Sequence, residues 1–301
     1  MLKSALVAKN QSLTLNVSQS PRLETIVVIN CVLNVPLMLI AIVGNSLVLA
    51  AILRTPSLRS PSTVFLCSLA VSDLLVGLVV QPVYIADAIK PLSLSVSIAE
   101  DTMTFLLCGV SLCTIATISV DRFLALRYHL RYSTLMTSKC ATYTAAALWF
   151  ICLLFSLLSF WNTNVYDYTL AVVIAICIIL STFSYTGIYR IVRQHQLQIH
   201  AQQQAVHISN VQHNLKMVRS TRSAISTFIF YIFMIFCYSP ALIATLIVVI
   251  SGRRGYSRAW VLADTLLYMN SSINPILYCW RLRELRTAVM KYVLCNQRGE
   301  N

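Results

Sequence analysis

Charge is what this sequence lacks most. Only 11% of its 301 residues are Asp, Glu, Lys or Arg, against 57% hydrophobic, and the mean hydropathy is +0.73. A soluble domain carries about a quarter charged residues, so this composition describes a chain that lives in lipid. Glycine and proline are sparse as well, at 7 and 8. No window shows the ten-residue alternation of an outer-membrane barrel, which leaves helices, satisfying their own backbone, as the spanning elements.

Other absences narrow the function. Ten cysteines are present, but most of them, Cys67, Cys108, Cys113, Cys152, Cys177 and Cys237 included, fall inside apolar runs without metal-ligand spacing and read as packing residues. The apolar runs hold no His pair, nucleophile motif or carboxylate pair, which argues against a membrane enzyme. No internal repeat appears, which argues against a transporter built from inverted halves. The basic excess, +13 net, is dispersed in short clusters between apolar runs, so no nucleic-acid partner is expected. The opening "MLKSALVAKN" has an apolar core of only Ala5 to Ala8, too short for a secretory signal; the first span is expected to act as an uncleaved anchor.

What is present is a series of seven apolar runs of membrane-crossing length, near residues 26–53, 61–88, 95–128, 140–161, 167–197, 214–249 and 258–280. They predict an all-α membrane protein, a seven-transmembrane helix bundle. Beyond it, "WRLRELRTAVMKYVLC" places Leu282, Leu285, Ala288, Val289 and Tyr292 on one helical face, predicting a short amphipathic eighth helix on the bilayer surface. Cys295 then stands where palmitoylation adds an anchor. The domain reading is an external segment 1–25, the bundle 26–280, and a cytoplasmic helix and tail 281–301.

Orientation follows from Lys and Arg. Sixteen fall at the first, third and fifth connections and the C-terminal tail, and seven on the other side, so the C-terminus is expected in the cytosol and the N-terminus outside. The sequons at Asn10 ("NQS") and Asn16 ("NVS") agree with an external, glycosylated N-terminus. A multi-pass plasma-membrane protein is the expected setting, with the lipid bilayer as one partner.

Polar residues inside the spans are costly and mark sites. Asp73, in "SLAVSDLLVGLVV", has no Lys or Arg in its own span and needs a partner, a cation or a proton. Asn45, Ser111, Asn270, Ser271 and Asn274 lie at similar depth by residue count. Together they outline an oxygen-rich pocket for a sodium ion, a tentative metal at Asp73, or for a shared proton. Singly, Ser111, Ser271 and Asn45 serve equally well as hydrogen bonds between helices. No other cofactor is expected. Pro240, in "FCYSPALI", and Pro275, in "NSSINPILYCW", each free an upstream carbonyl and permit a bend.

The stretch "TISVDRFLALRYHL" sets Asp121 beside Arg122. Eleven residues separate Ser111 from Arg122, about 16 Å of helix, so with Ser111 at mid-membrane Arg122 reaches the cytosolic rim. Asp101, about 31 Å back along the same helix, belongs at the outer face. Asp121 holds Arg122 in a resting position that another state releases, or the pair merely fixes the depth of the helix.

Seven spans with "GNSLVL", "LAVSDLL", "SVDRFLAL", Trp149, "CYSP" and "NPILY" in that order resemble rhodopsin-like (class A) G protein-coupled receptors. The resemblance implies a receptor, not an enzyme, that binds an extracellular ligand and activates a heterotrimeric G protein by a conformational change in the bundle. It implies that Arg122, restrained by Asp121, contacts the G protein when the sixth helix swings out. It gives Tyr189 and Tyr278 inward-turning roles in the active arrangement, and assigns Asp73, Ser111, Asn270 and Asn274 to a sodium pocket. Tyr238 stands where most members have Trp, and Ser181 where many have Pro.

No Cys lies near the start of the third span or in "NTNVYDY", so the family's usual external disulfide cannot form. This is similar to melanocortin receptors, whose acidic ligand position matches Asp101. Their other acidic positions are Val83 and Ser97 here, and their aromatic pocket is Ala241 and Ala244. Adenosine receptors are the next neighbour in character, but Thr245 replaces their purine-holding Asn. The candidate ligand residues are Glu100, Asp101, Thr104, Asp264 and Tyr268. They suit a melanocortin-like peptide or a small cationic molecule; equally, Glu100 and Asp101 are solvated charges favoured by a helix N-terminus.

Overall fold

Helices account for every regular element among the described residues. The structure, a computed structural model, describes residues 21–58, 60–128, 131–161, 163–205, 211–251, 258–281 and 283–298. The main helices are α1 (Pro21–Arg54), α2 (Pro61–Ile89), α3 (Leu94–Arg127), α4 (Ser138–Trp161), α5 (Thr163–Ala205), α6 (Val211–Ser251), α7 (Arg258–Arg281) and α8 (Arg283–Arg298). A one-turn helix, Tyr132–Leu135, lies between α3 and α4. Asn10 and Asn16 fall outside the described residues, as does the side chain of Cys295.

The sorting of side chains is that of a protein in lipid. On α1, Val28, Val32, Leu39 and Val43 are exposed while Asn30, Asn34 and Asn45 are buried. Apolar residues gain nothing from hiding when the solvent is itself apolar, whereas polar groups must find partners inside. Six helices among the described residues, α1 to α6, are long and apolar enough to cross a membrane. The sequence predicts seven spans. The seventh, α7, falls short on apolarity because it carries Asp264, Thr265, Asn270, Ser271, Ser272 and Asn274. It packs against α1, α2, α3 and α6, and its buried face includes Tyr268, Asn270, Ser271, Ser272 and Asn274. Neighbouring helices, not lipid, receive those polar groups.

Small residues set how closely helices approach. A methyl group at Gly187 on α5 would stand 2.3 Å from the Phe123 ring of α3, and one at Gly77 on α2 would meet Ile42 and Ala41 of α1 at 3.0 and 3.2 Å. Within α2, Val76–Val80 forms a widened π turn just before Pro82. That turn accommodates a proline that cannot donate to the helical ladder.

The boundary between α4 and α5 differs from expectation. Residues 163–166, read from the sequence as loop, open α5; Asp167 near the start of that helix favours its positive N-terminal end. One residue therefore separates α4 from α5. On α8, Leu285 is buried in the main core and Ala288 and Val289 pack against it, while Arg286 and Lys291 are exposed, as the amphipathic pattern predicts. The helix lies against α1 and α7.

Candidate functional site

At mid-bundle, Asp73 draws three helices together. Its Oδ1 accepts a hydrogen bond from Ser111 Oγ at 3.1 Å, and its Oδ2 accepts one from Asn274 Nδ2 at 2.7 Å. Asn270 Nδ2 donates to the same Ser111 Oγ at 3.3 Å. Asn45 reaches across from α1, its Nδ2 donating to the Ser271 carbonyl at 3.1 Å and to Ala41 of its own helix at 2.9 Å. All six residues are buried. The Ser271 hydroxyl lies near the Asp73 carboxylate without closing a hydrogen bond of acceptable geometry, and Asn45 Oδ1 has no partner among the described residues. A buried carboxylate with neutral donors and an orphaned hydroxyl beside it suits a hard monovalent cation, which takes oxygen ligands. Asp73 and Ser271 are the groups that would hold one.

At the end of the bundle that carries α8, Asp121 is a hub. Its Oδ2 accepts from Arg122 Nη2 at 2.6 Å, from Arg122 Nε at 3.1 Å and from Ser62 Oγ at 3.1 Å, and its Oδ1 accepts from Tyr132 OH at 2.6 Å. Arg122 Nη2 also donates to Ser62 Oγ. The carboxylate is 1% exposed and the guanidinium 31% exposed. Neighbouring positions on a helix diverge by about 100°, so the long Arg122 side chain folds back to reach Asp121. Burial first, then the hydrogen bond to Asp121, hold the Tyr132 phenol above its ordinary pKa, so it remains a donor at neutral pH.

These parts carry one more observation. Residues 44–169 match the family model described as 7 transmembrane receptor (rhodopsin family). Over that stretch the chain is similar to rhodopsin-family receptors. The match begins at Gly44, beside Asn45, and contains Asp73, Ser111, Asp121, Arg122 and Tyr132. The family is one of receptors, not enzymes.

The remaining residues expected from the sequence to act in a switch sit as follows. Tyr278 is buried, its ring stacked on Phe230 of α6 with centroids 5.4 Å apart and planes at 16°. Tyr238, about two turns beyond Phe230 along α6, donates to the Cys108 carbonyl of α3 at 3.1 Å, tying α6 to α3 two residues before Pro240. Tyr189 is 64% exposed. The inward tyrosine of α5 is Tyr185, which accepts from Ser119 Oγ at 3.0 Å and packs against Tyr231. The helix runs unbroken through Ser181, so Ser181, Tyr185 and Ile188 share the inner face and Tyr189 turns outward.

At the opposite end, Glu100, Thr104 and Tyr268 come together. Glu100 Oε1 accepts from Thr104 Oγ1 at 3.0 Å and from Tyr268 OH at 3.1 Å. Asp101 is exposed and Asp264 is half-buried one turn before Tyr268. Sequence reasoning missed Ser62 and Tyr132, whose role appears only when the chain between α3 and α4 folds under Asp121. It also missed a polar cluster of Asn30, Asn34, Gln81, Tyr84 and Thr265. Asn30 and Asn34, four apart in an apolar run, were the available signal for that one.

Proposed function

We propose that this receptor sits in the plasma membrane with its N-terminus outside, binds an extracellular ligand, and activates heterotrimeric G proteins at the end that carries α8. The observation that carries the reading is the hub at Asp121. A carboxylate holding the adjacent Arg122, with Ser62 of α2 and Tyr132 of the α3–α4 connection as further donors, is a restraint that can be undone without breaking the helix. Freed, the Arg122 guanidinium offers five donors in a fixed fork to a partner entering between the helix ends.

Release requires α6 to part from α3 and α7. The Tyr238 hydrogen bond to Cys108 and the Tyr278–Phe230 stack hold it in the resting arrangement. Pro240, inside α6, supplies a bending point where one backbone hydrogen bond is already missing. The Asp73 cluster favours rest by pulling α2, α3 and α7 together, and a sodium ion there would add to that pull while neutralising the carboxylate.

The test is basal nucleotide exchange on purified heterotrimers by the full-length chain in lipid nanodiscs. Exchange that rises in Asp121→Asn and vanishes in Arg122→Ala supports the reading. Wild type and Arg122→Ala both failing to accelerate exchange on every heterotrimer class, with Asp121→Asn equally inert, would overturn it.

A further inference from the structure

We propose that the ligand carries a cationic group held by Glu100 and a separate hydrogen-bond donor held by Gln81, and that it seats among α1, α2, α3 and α7, away from α5 and α6. This rests on the receptor reading above and names the chemistry of its ligand.

Glu100 has two neutral donors, Thr104 and Tyr268, both on Oε1. Its Oε2 accepts no hydrogen bond from the described residues, and no Lys, Arg or His among them pairs with it. A partly buried carboxylate of this kind retains lone pairs to be met. The wall beside it is aromatic. The Tyr84 ring meets the Tyr268 ring edge-on, centroids 5.2 Å apart at 72°, and tyrosine faces favour cations.

Gln81 lies one turn along α2 from Tyr84, on the same face. It is 0% exposed, and its Oε1 has no partner among the described residues. Its Nε2 is engaged with Asn34 Oδ1 at 3.4 Å, and the Asn34 amide group is itself used on Asn30 and Thr265. None of these amides turns a donor toward Gln81 Oε1. A fully buried amide oxygen left unmet is costly, and a donor from a bound molecule answers it. Two acceptors lacking donors on one side of the bundle call for a molecule that donates at both ends.

Toward α5 and α6 several of the described buried residues are small or apolar. Ala171, Ile174, Ala241 and Ala244 are buried there, and the Thr245 hydroxyl turns back to the Ala241 carbonyl at 2.8 Å.

The test uses linear ω-amino alcohols with three to eight methylenes, the matching n-alkylamines and the matching n-alkanols, as probes on the full-length receptor in nanodiscs. The readout is the probe concentration that half-maximally raises the melting temperature. Amines are expected to stabilise where alkanols do not. The added hydroxyl is expected to lower the half-maximal concentration about tenfold at one chain length. Glu100→Gln should abolish the amine effect, Glu100→Asp should keep it with a longer optimal chain, and Gln81→Leu should remove only the hydroxyl increment. Equal action of amines and alkanols, an amine effect that survives Glu100→Gln, or a hydroxyl increment that survives Gln81→Leu overturns the proposal. These measurements involve no G protein. Their failure with Arg122-dependent exchange intact overturns the ligand assignment alone, and the reverse pattern overturns the receptor reading alone.

Discussion

Gly44 and Pro275 are in contact across α1 and α7: a methyl group on Gly44 would stand 2.9 Å from both Cβ and Cγ of the proline ring. A proline ring cannot rotate away, so Gly44→Ala must separate the two helices. Overpacking of this kind costs about 1–3 kcal/mol. The lowered melting temperature should be accompanied by a weakened Asn45–Ser271 link, one residue along α1.

Removing the Tyr132 hydroxyl loosens Asp121 without touching its charge. Tyr132→Phe deletes one hydrogen bond to a carboxylate, worth about 1 kcal/mol at this partly exposed position, so basal nucleotide exchange should rise about fivefold. Because the phenol's pKa is raised, that contribution is complete below about pH 10 and is lost only as pH rises through the raised value. The ratio of mutant to wild-type exchange should be the same at pH 6.5 and pH 8.5. A ratio that changes severalfold between them would place the titrating group elsewhere.

Sodium dependence should follow Asp73. In wild type, replacing choline chloride with sodium chloride should raise the melting temperature, by about 1.4 kcal/mol of stability at tenfold the dissociation constant. Asp73→Asn keeps the size and the Asn274 neighbour but lacks the charge that a cation answers. Its melting temperature should be indifferent to the exchange of salts.

Tyr238→Phe keeps the ring and loses the hydrogen bond to the Cys108 carbonyl. The loss is about 1 kcal/mol, and it falls on the link between α6 and α3. Basal exchange should rise, with the melting temperature falling by only a few degrees. A variant as quiet as wild type would show that this bond persists when α6 moves.

The helices were legible because lipid selects for long apolar runs, and the same selection explains the shortfall at α7. Its polar residues are hidden by neighbours, which no count along one segment reveals. Asp73 and Arg122 stood out as charges in apolar surroundings. Ser62 and Tyr132 did not, since a serine after a proline and a tyrosine in a polar connection look ordinary until Asp121 is placed between them. Tyr189 shows a different limit. The resemblance picks out Tyr189, but the unbroken turn of α5 decides that Tyr185 faces inward and Tyr189 outward. Gln81 is legible only as a polar residue; that its carbonyl goes unmet is a property of the packed bundle.

The junction between α4 and α5 leaves no slack. With α4 ending at Trp161 and α5 beginning at Thr163, the chain has no length there to fold across the outer mouth. The ligand proposed above would leave without waiting for a lid formed by this connection. Under the proposed function, this connection would add no delay of its own between a fall in ligand concentration and the return to rest.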